Sequence, residues 1–493
     1  MRWLAGLFCL SLLAAIPVSG LADVTTIQAD TVELDTNLAA ASANGNAILT
    51  YGKLSLHADA ITANRATGDV VAVGNLSLCE ADRRLCGGHL QYNLRTNEGV
   101  LTQAQVVEQG VIVRGELIEF SPKKFVARHA SFTTCTKERP DYSLDADTIT
   151  LTAAATDARG RPVSGRLTLN RAKVYFHGKR LVTLPNYSVS VGGIQEGKAS
   201  PLPTSGFSRN DGLYTQLDYT LSRPDRPVLA DARVRLTTHR GLTGLVEARR
   251  LYRSHELFAD YTHRQDVRQT ELQADQLTFS TANVLVNRAP EFGARTDDYP
   301  LSKFLHLAAD ARYGRYTEFD ADGGELNGAN RFSASALVST DPYPVLHDLL
   351  LSHAVGYRAA YYSTDDRFAI GFFRTTVQFP RSDENHLALS YIGRSTSGRT
   401  PFLFDDVQVG SELLADFRHR LSPAWRLRAI GAYDLEDGST RDVAISLTRT
   451  VHCLDYTLGW KQLSRTFFFG ITLAPMPAGQ APTCPQPSAP GRR

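Results

Sequence analysis

Ala29-Asp30-Thr31-Val32, Ala58-Asp59-Ala60-Ile61, Gly88-His89-Leu90, Gly115-Glu116-Leu117-Ile118 and Ala146-Asp147-Thr148-Ile149 close five successive units of one pattern. Their first residues stand 29, 30, 27 and 31 positions apart. A second kind of segment lies between them, as in Gly45-Asn46-Ala47-Ile48-Leu49 and Gly74-Asn75-Leu76-Ser77-Leu78. Turn signals at Thr67-Gly68-Asp69, Asn97-Glu98-Gly99 and Ser121-Pro122 separate the strands. A unit this small cannot bury its own apolar face, so the units must stack on one another.

Beyond residue 212 the pattern changes to longer alternating strands parted by polar turns, from Leu213–Leu221 to Thr466–Leu473. With less clear strands between 268 and 296, about 14–16 spans of roughly 10 residues are expected. No helical period appears. The fold class predicted is all-β: a stacked-β, jelly-roll-like repeat unit followed by an antiparallel outer-membrane β-barrel.

The ends of the chain bound its compartment. Arg2, the apolar run Leu4 to Ile16 and the small residues Gly20-Leu21-Ala22 read in order as a secretory signal, residues 1–22, leaving a mature start at Asp23. After Asp23 no window approaches 18 consecutive apolar residues, so no transmembrane helix is available. A barrel leaves a far weaker trace, because lipid-facing and lumen-facing residues alternate. Lys+Arg 53 against Asp+Glu 51 gives no support to a nucleic-acid partner. The organisation expected is a repeat unit at 23–200, a barrel at 205–474 and a disordered Pro-rich tail at 475–493.

Inside the stack, Ile48, Leu54, Leu56, Ile61, Val71, Val73, Val111, Val113 and Leu117 are the candidate inner residues. They either fill a closed core or line an open groove for acyl chains, and the sequence leaves both open. Five cysteines follow the signal, and an oxidising periplasm favours pairing over metal binding. Cys79 and Cys86 bracket a polar loop, Glu-Ala-Asp-Arg-Arg-Leu, and are expected to form a local staple.

The repeats resemble the periplasmic domain shared by the lipopolysaccharide-transport proteins of Gram-negative bacteria. Residues 130–241 are more specific: Ala130-Ser131-Phe132-Thr133-Thr134-Cys135, Pro140-Asp141-Tyr142-Ser143-Leu144, Leu169-Asn170-Arg171-Ala172-Lys173-Val174, Leu184-Pro185-Asn186-Tyr187, Ser205-Gly206-Phe207 and Thr238-His239-Arg240-Gly241. That series is similar to the LptD lipopolysaccharide-assembly family, also described as organic-solvent-tolerance proteins. Far downstream, Thr450-Val451-His452-Cys453-Leu454-Asp455-Tyr456 resembles the cysteine-bearing strand near the end of the family barrel. The resemblance implies a Cys135–Cys453 disulfide tying the repeat unit to the barrel, and leaves Cys484 unpaired in the tail.

The resemblance further implies an outer-membrane translocon with its N-terminal unit in the periplasm. It would take lipopolysaccharide, or a similar acylated glycolipid, from an LptA-like bridge protein that adds to the first edge strand near Ala29–Leu34. Acyl chains would leave through a lateral seam between Tyr214–Leu221 and Thr466–Leu473. Here the sequence departs from the family in two respects. The barrel region is short, which puts the family's lumen-filling lipoprotein (LptE) in doubt. Its opening strand also lacks the family's prolines, since Pro224 and Pro227 fall in the following turn. No cofactor or metal is implied. The rival readings are a passive porin with a periplasmic β unit, a soluble stacked-β adhesin and a lipid- or peptide-cleaving barrel. The last finds no G-x-S-x-G or H-E-x-x-H motif, and the histidines are dispersed.

Overall fold

A computed structural model describes residues 25–35, 40–52, 54–80, 83–108, 111–121, 124–156, 162–191, 203–222, 228–252, 255–267, 282–346, 349–382 and 385–474. The expected signal (1–22) and tail (475–493) lie outside the described residues. The described chain is all β. Its first sheet holds β1 (Thr25–Gln28), β2 (Thr31–Leu34), β3 (Ala40–Tyr51), β4 (Leu54–Asn64), β5 (Asp69–Glu80) and β6 (Arg83–Asn93). It continues through β7 (Glu98–Glu108), β8 (Val111–Ser121), β9 (Lys124–Thr133), β10 (Tyr142–Thr156), β11 (Pro162–Phe176) and β12 (Lys179–Val191). The order is β1-β3-β4 and onward to β12 by nearest neighbours, with β2 also on β3.

The repeated sequence segments mark one structural row. Asn46, Asn75, Gln103, His129 and Arg171 all have positive φ, and at this row the ladders lose register, as between Asn44 and Ala47 or His57 and Ala60. Each bulged residue faces the preceding repeat segment. Asn46 donates to Asp30 at 3.1 Å, Asn75 to Asp59 at 2.8 Å, His129 sits 3.2 Å from Glu116, and Arg171 pairs with Asp147. Gly45 and Gly74 precede the first two bulges at φ +78° and +74°, where a Cβ would collide with the Asp30 or Asp59 carboxylate. In four of the five repeats an acid therefore holds the bend, and the bends run across the sheet.

The bulge also decides which side chains face inward, because strand side chains alternate and each bulge resets the alternation. Leu54, Leu56, Ile61 and Val113 are buried in the core, whereas Ile48, Val71, Val111 and Leu117 are only half-buried. Val73 is 48% exposed on the outer face, because Val70 and Ala72 take the inner positions of β5. The nine candidates are thus not one lining.

The second sheet closes on itself. It comprises β13 (Thr204–Ser208), β14 (Gly212–Ser222), β15 (Val228–Thr237), β16 (Gly241–Leu251), β17 (Glu256–Asp266) and β18 (Leu285–Pro300). Next come β19 (Leu305–Phe319), β20 (Glu325–Thr340), β21 (Tyr343–Leu346), β22 (Leu349–Tyr362), β23 (Arg367–Ser382) and β24 (Asn385–Gly398). The last are β25 (Ser411–Ser422), β26 (Trp425–Asp434), β27 (Ser439–Val451), β28 (Leu454–Lys461) and β29 (Thr466–Leu473). Short β21 pairs only with β22, and β20 pairs directly with β22, so sixteen antiparallel strands form the closed wall.

Alternation along β17 explains why the wall is two-sided. Glu256, Phe258, Asp260 and Thr262 are buried inward, while Leu257 and Tyr261 are exposed outward. The same rule places Leu213, Leu236, Leu242, Val355, Phe373 and Leu458 on the outer surface. An outer apolar band around a polar interior is the pattern of a membrane barrel. The wall is uneven: β18 to β20 run 15 or 16 residues, but β28 and β29 only 8 and β13 only 5. Among the described residues no helix is long and apolar enough to cross a membrane.

Candidate functional site at the junction and in the lumen

Sheet and barrel share one core. Cys453 and Leu454, at the β27–β28 turn, are buried with the first sheet's apolar residues, and Tyr219, Tyr456, Ile471 and Leu473 pack against them. Cys135 and Cys453 are joined by a disulfide, with Cα atoms 5.0 Å apart though they stand 318 positions apart in sequence. Around it Tyr142 donates to the Thr134 hydroxyl at 2.9 Å, and that hydroxyl donates to the Ala474 carbonyl at 2.7 Å. The Thr134 amide donates back to the Tyr142 oxygen at 2.9 Å. Burial pushes the Tyr142 phenol up to about 12, because the charged form would lose its water.

A charged cluster rims the bond. Lys137 lies 3.2 Å from Asp141 and 2.7 Å from His452 Nδ1, so its ammonium bridges the repeat unit's acid and the barrel's turn. Asp141 also stands within 3.7 Å of His177. Cys135, Asp141 and Cys453 lie close enough to hold a metal, but a disulfide supplies no thiolate, so the trio is not a metal centre.

The other cysteine pair does not form. Cys79 is free, and Cys86 is disulfide-bonded but not to Cys79; Cys484 lies outside the described residues. The reason is register. Cys79 lies opposite Arg84 and Cys86 opposite Ser77, which puts the two cysteines on a diagonal. Diagonal neighbours are roughly 7–8 Å apart, too far for a disulfide.

At the barrel's closure the structure corrects the expected seam. Tyr214 and Leu221 do not meet Thr466 and Leu473. They register with Thr237 and Ala230 of β15, while Thr466 and Leu473 register with Lys461 and Leu454 of β28. Between β14 and β29 stands β13, the Ser205-Gly206-Phe207 segment, too short to read as a spanning strand. It meets β29 through three residue pairs: Ser205↔Phe469, Gly206↔Phe468 and Phe207↔Phe467. On its other side β13 pairs with β14 over five residues, and the longer wall strands pair over more, nine for β14–β15 for example, spanning Tyr214↔Thr237 to Ser222↔Leu229 without a shift. With each backbone bond worth roughly 1 kcal/mol net, this is the weakest line in the wall. Gly206 is needed here, since a Cβ would strike the Phe467 carbonyl and the Tyr214 ring.

Below the end of β13, strand β12 of the first sheet comes against β14. The Asn186 amide donates to the Tyr219 hydroxyl at 3.1 Å, and the Tyr187 and Tyr219 rings lie 5.9 Å apart. Buried Tyr187 has its phenol pushed upward by desolvation. The apolar path of the sheet therefore ends beside the narrow closure.

The lumen is lined by matched charges. Arg288 lies 3.1 Å from Asp260, Arg295 3.0 Å from Glu247, and Arg394 2.7 Å from Glu412. Polar groups can cross such an interior and apolar chains cannot. Into its far end folds the β24–β25 loop, residues 399–410. Its Asp405 accepts from Arg331 at 2.6 and 2.9 Å and from Tyr362 at 2.8 Å, with Arg358 at 3.2 Å. Sequence reasoning passed over this loop. The signal was Phe402-Leu403-Phe404, three apolar residues where a turn in water is expected to be polar.

The hydrolase reading gains little. His57 with Ser55 (3.1 Å) and His353 with Thr375 (3.0 Å) have no carboxylate behind the imidazole among the described contacts.

Residues 26–125 match the family described as LptA/(LptD N-terminal domain) LPS transport protein. The chain is 25% identical over 175 residues to the LPS-assembly protein LptD of Acinetobacter baylyi, covering 34% of this chain and 20% of that one. The matched part thus spans about a fifth of that relative's length. Among solved structures, the chain is similar to LptH, the LptA homologous periplasmic component of the lipopolysaccharide transport device of Pseudomonas aeruginosa. There identity is 26%, coverage 20% of this chain and 76% of that one, and the TM-score 0.19. CdiB from Acinetobacter baumannii aligns at 11% identity and TM-score 0.36, covering 59% of this chain and 63% of that one. A Rh. blastica porin mutant aligns at 10% and 0.30, covering 56% and 98%.

Proposed function

We propose that this LptD-type protein is an outer-membrane translocon that takes lipopolysaccharide, or a similar acylated glycolipid, from a periplasmic bridge and releases it into the outer leaflet. In this reading residues 23–200 stand in the periplasm and residues 205–474 span the outer membrane. The observation that carries it is the shared core: the sheet's apolar interior runs without a break to Ile471 and Leu473 of β29, beside the three-pair closure. An acyl chain gains about 0.8 kcal/mol per buried methylene along such a path. The glycan, costly to place in hydrocarbon, has the charged lumen beside it. Chain and sugar part at β13, where the wall is weakest.

The bridge partner would add a strand at the β1–β2 end. There, among the described residues, β2 pairs only with β3, and Val32 and Leu34 are exposed along it. The Cys135–Cys453 bond keeps the sheet's exit over the closure. A passive porin accounts for the charged lumen but assigns no task to the sheet or to the bond.

Photo-crosslinkers at Leu56, Ile61 and Val113 test the path, with outward-facing Val73 as the control. Capture of glycolipid at the first three and not at Val73 is the expected result. If none captures it, and depletion of the protein leaves surface lipopolysaccharide unchanged, the transport reading fails.

A further inference from the structure

The β24–β25 loop is built as a plug. It leaves the wall at Gly398 and returns at Ser411, yet its middle is fixed to β19, β20 and β22, on another part of the barrel. Three kinds of bond hold it. The Asp405 carboxylate, 2% exposed, receives a two-pronged contact from Arg331 and further contacts from Arg358 and Tyr362. The Leu403 and Phe404 amides donate to the two oxygens of Glu318, at 3.0 and 2.8 Å. Phe402, 1% exposed, packs with the rings of Tyr316, Tyr362 and Phe404 at centroid distances of 6.2, 5.8 and 5.0 Å.

A solvated hairpin loop has no use for these groups. Burying the Asp405 carboxylate is costly unless its partners are in place, and two arginines and a phenol on the wall supply them. Asn327 adds a 2.8 Å bond to the Pro401 carbonyl, so the seat is specific along the loop and not at one point. We infer that residues 399–410 are an intrinsic plug closing the far mouth of the lumen, so that the chain supplies from its own sequence the obstruction that a separate lumen-filling subunit would otherwise provide. The inference concerns the lumen alone and holds whatever the first sheet carries.

Ion conductance of the purified full-length protein in planar bilayers tests it. The wild type is expected to conduct weakly. Asp405→Asn, and a variant with residues 400–408 replaced by a Gly-Ser linker, are expected to conduct several-fold more. Both should keep heat-modifiable mobility on gels and the Cys135–Cys453 bond, which shows that the barrel is folded. A wild type already wide open, or a folded linker variant no more conductive than wild type, overturns the proposal. A second readout does not depend on removing the loop. In intact cells Val407→Cys should resist an impermeant maleimide while Thr364→Cys, in the exposed β22–β23 turn, reacts; equal labelling would place the loop outside the lumen and overturn it.

Discussion

Cys135 and Cys453 lie with Cα atoms 5.0 Å apart across the boundary between sheet and barrel, though they stand 318 positions apart in the chain. Closing so long a loop removes unfolded-state entropy worth about 5 kcal/mol in the chain-entropy model. Replacing either cysteine by serine should therefore loosen the sheet from the barrel and leave each free to unfold separately. Limited proteolysis of membranes checks this. Wild type should release no separate sheet fragment without reductant, whereas Cys135→Ser should release one. Equal cleavage of the two proteins would show that the shared core suffices.

Cys79 and Cys86 should differ in chemistry. Alkylation without reduction, followed by peptide mass spectrometry, should label Cys79 and leave Cys86 unlabelled. Cys79→Ala should be near neutral, within about 0.5 kcal/mol, as is usual for half-exposed positions. A Cys79–Cys86 linked peptide would contradict the register between β5 and β6.

Gly206 should be intolerant of a side chain. Gly206→Val would press a branched group against the Phe467 carbonyl and the Tyr214 ring, at an overpacking cost of about 1–3 kcal/mol. Only three residue pairs hold that line, so the barrel should open there first. The expected signs are a lower temperature for loss of the folded gel band and increased entry of large antibiotics. Gly244→Ala, also close to a neighbouring backbone but inside the fully paired β15–β16 ladder, should not raise antibiotic entry. If it raises entry as much as Gly206→Val does, the closure is not special.

The Tyr142 phenol gives the junction a dependence on alkaline pH. Its folded value is raised above the ordinary 10 to about 12, so the neutral form is favoured in the folded state. That stability is fully present below pH 10 and is lost as pH rises from about 10 to about 12, with a ceiling of about 3 kcal/mol. Urea titrations at pH 9, 10, 11 and 12 should show wild type losing stability that Tyr142→Phe does not lose over the same interval. The variant should be weaker by about 1–3 kcal/mol at pH 8, because the Thr134 amide would lose its acceptor. Parallel pH profiles would assign the alkaline loss to other groups.

The sequence by itself determined the all-β class and pointed to a change of unit near Ser205. Both follow from local rules that act over a few residues. A repeat of about 30 residues must stack, and alternation makes a two-faced strand wherever it occurs. Asp30, Asp59, Glu116 and Asp147 recur in the quoted segments, but that they hold a row of bulges is seen only once the strands are paired. What only the tertiary structure decided was everything that depends on register or on distant partners. Val73 and Leu56 look alike as strand residues, yet a bulge puts one outside and one in the core. Five residues, Thr204–Ser208, become the closing strand because β14 and β29 flank them on either side, a fact with no local signature. Asp405 reads as one acid in a loop until Arg331 and Arg358, 74 and 47 positions earlier in the numbering, are brought against it by the curvature of the wall. Local pattern sets what each segment is; closure of the barrel sets what it touches.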